Sequence, residues 1–197
     1  MSVKDTVRDV LRTEAAALLA LAERVGPEYE KAVEKILQVQ GKVVVSGIGK
    51  AGHVGKKLAA SLASTGTPAF FVHPAEAVHG DSGMVRPGDL VIALSNSGET
   101  DELLAFLDIV QDMGVPIIAI TGKPESSLAK MAVVTLDSGV EREADPHNLA
   151  PTTSAVAQMA VGDALVVSLM IRRGFGPEDF KRFHPGGALG RRLSGQA

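Results

Sequence analysis

Val43-Val44-Val45-Ser46-Gly47-Ile48-Gly49-Lys50-Ala51-Gly52-His53-Val54-Gly55 decides how the rest of the chain is read. A β-branched run breaks into Gly47-x-Gly49-x-x-Gly52. A strand, a tight turn and a helix N-terminus are written this way when backbone amides are to face a phosphate. Two ligands fit the pattern, a dinucleotide or a smaller phosphate ester. The glycines also have a bland explanation, because a strand-to-helix turn with a closely packed helix needs no ligand at all. That explanation leaves Lys50 unaccounted for, a cation aimed at whatever the loop holds.

Outward from this stretch, short apolar runs recur at 69–72 (AFFV), 90–94 (LVIAL), 116–120 (PIIAI) and 133–136 (VVTL), most of them separated by helical patterns. Pro68, Pro87-Gly88 and Gly114-Val115-Pro116 punctuate three of the approaches. The alternation predicts βαβ units and an α/β three-layer sandwich, with a five-stranded parallel sheet in the flavodoxin-like order 2-1-3-4-5. Two helices lead the chain, over 5–21 (Val7, Val10, Leu11, Ala15, Leu18, Leu19) and 28–40 (Tyr29, Ala32, Val33, Ile36). A long helix over 152–173 is apolar almost all round, which predicts that it is largely buried, and Pro177 opens another after Gly174. No linker or repeat divides the chain, so residues 1–197 are expected to form a single domain.

Composition narrows the partners. The chain has 197 residues, 45% hydrophobic and 22% charged, with a net charge of -3, one Tyr and no Trp. Without a dense Lys/Arg run or stacking rings, nucleic acid is not an expected partner. No apolar run is read as approaching the roughly 20 residues of a membrane span, and MSVKDTVRDV lacks the profile of a signal peptide. The expectation is therefore a cytoplasmic protein with no membrane partner. The absence of cysteine excludes disulfides, thiolate catalysis and Cys-type zinc sites.

A dinucleotide site needs an acidic residue ending the second strand to hold the ribose. Here that strand ends FFVHP, and Glu76 follows where a helical turn should start. The third strand instead runs into Ser95-Asn96-Ser97-Gly98-Glu99-Thr100 before a helix at about Asp101. Three hydroxyls and a glycine at a helix N-terminus suit a phosphomonoester, although Thr100 or Ser97 alone would suffice as a helix cap. In the order 2-1-3-4-5 the first and third strands are neighbours. Ser46, Gly47 and Gly49 then open into one crevice with Ser95, Asn96, Ser97 and Thr100.

GIGKAGHVGKKLAASLASTGTPAFFVHPAEAVHGDSGMV, SNSGET, ITGKPESSLAK, EREADPHNLAPTTS and FHPGGALGRRL together resemble the SIS (sugar isomerase) family, and within it the arabinose 5-phosphate isomerases, over about 41–193. The resemblance implies interconversion of D-ribulose 5-phosphate and D-arabinose 5-phosphate through an enediol, supplying Kdo for lipopolysaccharide. It also implies a homotetramer. Members usually continue into paired CBS domains, whereas this chain stops soon after Arg191-Arg192. Ala51 stands where many members have Ser.

Moving a carbonyl between C1 and C2 requires a base at carbon, a stabiliser for the enediolate and a proton shuttle between oxygens, with no metal or cofactor. Lys50, His79, Glu99, Glu143 and His184 lie in the matching segments and are the catalytic candidates. Lys50 would stabilise the enediolate or pair with phosphate. Glu99 would be a carbon base or a first-turn helix carboxylate, and only the resemblance singles out Glu143. His184 or His79 would open the ring or move oxygen protons. His53, His73 and His147 are expected to have no catalytic role, and any zinc they held together with His79 and His184 would be non-catalytic, because the spacing matches no standard zinc motif. A sugar-phosphate sensor, an isomerase of another phosphosugar and a nucleotide-dependent oxidoreductase are the competing readings.

Overall fold

β1 (Val43–Gly47) is buried along its whole length, and so are β3 (Leu90–Leu94) and β4 (Ile117–Thr121). The computed structural model describes residues 2–184. β2 (Ala69–Val72) and β5 (Val134–Asp137) close the two edges of a five-stranded parallel sheet ordered β2-β1-β3-β4-β5. Register follows the sequence runs, with Val44 opposite Phe70 on one side and Val91 on the other. The expected architecture and strand order are both observed, with β4 and β5 each displaced by one residue from the apolar runs that announced them.

Strand side chains alternate between two cores, as a sheet covered on both faces requires. Val43, Val45, Ile92, Leu94 and Ile120 pack with α2 (Glu28–Leu37), α3 (Gly49–Ser64) and α7 (Thr153–Arg173). Val44, Val91, Ala93 and Ala119 pack beneath α5 (Asp101–Asp112), with α4 (Pro74–Ala77) and α6 (Ser127–Met131) beside it. Phe106 is the largest side chain fully inside this second core. Glu76 sits within α4 rather than at the end of β2, so the position of a ribose-binding acid is empty.

Two expectations need correction. α7 is long and apolar enough to cross a membrane by length and composition, although the sequence was expected to hold no such segment. Its inner face, Ala157, Val161, Leu165 and Leu169, is core, while Met159, Val167 and Ile171 are exposed, so it is buried on one side only. α1 (Val3–Ala22) leans against α7 and buries only Leu21, leaving Val7, Leu11 and Leu19 exposed. A 3.6-residue period thus specified a helix without specifying what covers it.

Candidate active site

The strand order reverses between β1 and β3, and their carboxyl ends open a crevice there. After β1 the chain turns through Ile48, the N-cap of α3, which has extended backbone and offers no side-chain cap. The first α3 amide with a helical acceptor is that of Gly52, which donates to Ile48 O at 3.1 Å. The amides before it are therefore free to meet an anion. Gly52 is tight against the strand, since a Cβ there would lie 2.7 Å from Gly47 O.

The second wall is the loop between β3 and α5. Ser95 Oγ lies 3.0 Å from Thr100 Oγ1 and 3.5 Å from Ser97 Oγ, and accepts from Gly98 N at 3.0 Å. Ser97 Oγ accepts from Glu99 N at 3.2 Å. Gly98 holds φ +68°, and a Cβ there would run into Ser126, so the turn that gathers the hydroxyls depends on glycine. Thr100 is the N-cap of α5 but caps it with no side-chain hydrogen bond. Two helix N-termini and three hydroxyls therefore face one space, a cavity of about 280 Å³ lined by Lys50, Ala51, Ser95, Asn96, Ser97 and Thr100 among others.

α7 supplies the remaining wall through Ser154, Ala155 and Gln158, with Pro151 preceding it. Its N-terminus already carries an anion. Glu143, 8% exposed, accepts from Thr152 N at 2.8 Å, Thr152 Oγ1 at 3.1 Å and Ser154 N at 3.1 Å, all on Oε2. Burial raises the Glu143 carboxyl, but the hydrogen bonds from Ser154 and Thr152 outweigh it and hold the group below the ordinary carboxylate value. Its contribution to stability is thus present above the unfolded carboxyl pKa and is lost as pH falls through the lower folded value. Glu143→Gln is expected to destabilise the fold by about 1–2 kcal/mol at pH 7. It should also flatten the acid limb of stability; urea melts between pH 7 and 3 measure both, and an unchanged acid limb would contradict the anchoring role.

Of the predicted residues, the structure brings Lys50, Ser95, Asn96, Ser97 and Thr100 to the cavity wall. Ser46 lies off it: the residue is fully buried, and its hydroxyl donates to Val72 O at 2.8 Å, tying β1 to β2. Gly47 and Gly49 shape the turn without lining the cavity. Glu99 is exposed and turned toward α6, where Oε1 accepts from Ser127 N at 2.9 Å. That bond, and its side-chain counterpart from Ser127, keep the carboxyl below its usual range. His79 is exposed in the turn just after α4 and does not line the cavity.

His184 lies elsewhere. It follows α8 (Pro177–Phe183), beyond the C-terminus of α7, and α7 alone spans about 30 Å. Phe175 packs on Gly66, ahead of β2, and stacks with Phe183, which ties this region to the amino ends of the strands. The His184 ring stacks on Phe180 at 3.8 Å, with Nδ1 2.9 Å from Phe180 O. Pro185 to Leu193 of the FHPGGALGRRL segment lie outside the described residues. Sequence reasoning missed Ser154 and Gln158. The available signal was two polar residues four apart, on one face of an otherwise apolar helix.

A doubly wound sheet with two helix ends lacking a side-chain cap, a hydroxyl loop and a lysine at its switch point is an arrangement whose chemistry suits a phosphate. The chain belongs to the SIS domain family, whose model matches residues 36–168. It is 54% identical to the arabinose 5-phosphate isomerase KdsD of Pseudomonas aeruginosa over 96% of this chain and 59% of that protein. It is 53% identical to KdsD of Escherichia coli K12 over 94% of this chain and 57% of that one. The chain thus spans under two thirds of the length of these relatives. A solved structure of E. coli CFT073 c3406 in complex with arabinose 5-phosphate superposes with a TM-score of 0.90 at 40% identity, covering 94% of this chain and all of that one.

Proposed function

We propose that the chain is a single SIS unit that interconverts D-ribulose 5-phosphate and D-arabinose 5-phosphate through an enediol. The observation that carries this is the meeting of Ser95, Ser97, Thr100 and Lys50 on one cavity wall, in a chain about half identical to arabinose 5-phosphate isomerases. The hydroxyl loop and the amides opening α3 and α5 take the phosphate. Lys50 stabilises the enediolate oxygen as charge develops there. Glu99 and Glu143 flank the crevice and are held ionised by backbone amides, the state a carbon base requires.

His184 sits too far from the crevice of its own chain, so we assign its proton-shuttling role, together with His79, to a neighbouring copy within a homotetramer. The exposed apolar residues of α1 and α7 support that assembly. The reading includes a cytoplasmic enzyme supplying arabinose 5-phosphate for Kdo and lipopolysaccharide.

Incubation with D-ribulose 5-phosphate in deuterated water tests it. Arabinose 5-phosphate labelled at C2 is expected, and its absence sinks the proposal. Comparing Glu99→Gln with Glu143→Gln then identifies the carbon base as the variant that loses kcat while KM is retained.

A further inference from the structure

Four buried side-chain atoms among the described residues have no hydrogen-bond partner: His73 Nδ1, Ser138 Oγ, Thr153 Oγ1 and Gln158 Nε2. Only Gln158 belongs to a residue that lines the crevice. It is 2% exposed, on the second turn of α7 and one turn beyond Ser154, so the two share a helix face. The neighbours of that face are Val161 and Leu165, ordinary core residues. A buried amide nitrogen left unpaired weakens the free protein, and an apolar side chain of the same length would avoid that penalty. The position therefore makes sense as part of a ligand site rather than of the fold.

The chemistry of that ligand group follows from what surrounds the amide. A phosphate is excluded from this wall, because Glu143 already holds the amides of Thr152 and Ser154 at the N-terminus of α7 and its charge repels a second anion. The open helix ends and the hydroxyls lie on the other wall. What remains is a neutral group able to accept from the Gln158 Nε2–H. An alcohol oxygen has that capacity.

We propose that Gln158 is a specificity-determining residue that binds a secondary hydroxyl on the carbon chain of the sugar phosphate, between the phosphate and the reacting carbons. The inference rests on the sugar-phosphate reading of the crevice and adds the residue that distinguishes a polyhydroxylated chain from a bare one. Sites built to pair a substrate hydroxyl reject analogues lacking it, because their own buried polar groups are then left unpaired.

Calorimetric titration with three non-isomerisable ligands tests this: D-arabinitol 5-phosphate, n-pentyl phosphate and inorganic phosphate. The wild-type protein is expected to bind the polyol phosphate at least about tenfold more tightly than pentyl phosphate, the worth of one hydrogen bond in a dry site. Gln158→Met should weaken the polyol phosphate by about that factor and close the gap to pentyl phosphate. It should leave inorganic phosphate within about twofold and the thermal midpoint no lower than that of the wild type. Unchanged polyol binding overturns the proposal, and so does an equal loss for all three ligands, which would mark a packing role. If the variant does not fold, equal binding of the polyol and pentyl phosphates by the wild type overturns it. Turnover of ribulose 5-phosphate by the wild type is measured separately. An inactive protein that retains the Gln158-dependent polyol preference removes the isomerase reading alone.

Discussion

Lys50→Met is expected to lower kcat by about 10²–10³-fold while KM for ribulose 5-phosphate rises only severalfold. Among the described residues, Lys50 is the only titratable side chain on the cavity wall, and it makes no ion pair with any of them. Its charge is thus available to an oxygen that gains negative charge during enolisation. Such an interaction strengthens between ground state and transition state, so its removal acts on kcat. A lysine that only paired with the phosphate would bind both states equally. In that case steady-state kinetics would show a raised KM and a weakened inhibition constant for inorganic phosphate, with kcat retained. Lys50→Arg should recover part of the activity, because charge is kept while the donor geometry changes.

Gly52→Ala should destabilise the fold by about 2–3 kcal/mol, although alanine in a helix interior ordinarily stabilises by about 1 kcal/mol relative to glycine. The added Cβ would meet Gly47 O at 2.7 Å and Gly47 C at 3.2 Å, both backbone atoms of a strand buried on each side. Neither can move without dragging β1, so α3 must tilt away. Thermal unfolding should shift down by about 5–10 °C, and phosphate should bind more weakly because the displaced turn carries one wall of the crevice. Gly162→Ala is the control, since there the new Cβ meets only the Leu58 side chain, at 3.3 Å and beyond. Similar losses in both variants would mean that helix packing in general, rather than the strand-to-helix turn, sets the effect.

The sheet was legible because its signals are local. β-branched runs, prolines and glycines lie next to one another in sequence, and the order of the strands is the one common to alternating βαβ chains with a five-stranded sheet. The hydroxyl loop was legible for the same reason, as Ser95 to Thr100 are contiguous. Ser46 was misplaced because a strand residue's side chain must face one side of the sheet or the other, and its hydroxyl is spent on Val72 O. Glu143 meets Thr152 and Ser154 across 9 and 11 residues of irregular chain, a closure that no periodicity announces. Asp145 organises that same segment by accepting from His147, Leu149 and Ala150 amides. His184 carried a family resemblance but no distance. Only the length and direction of α7 reveal that it stands at the far end of the molecule from Lys50.

The carboxylate locked on the first turn of α7 also makes the crevice electrically lopsided. At one pole two helix ends stand open to negative charge, and at the other the corresponding end is already satisfied by the ionised Glu143. On the proposed reading, a monophosphate enters with its charge at the first pole and its uncharged carbons at the second. A bisphosphate of the same length would have to set a second dianion against a buried carboxylate. On the proposed sugar-phosphate reading, the crevice would thus sort metabolites by how many phosphates they carry before their stereochemistry is consulted.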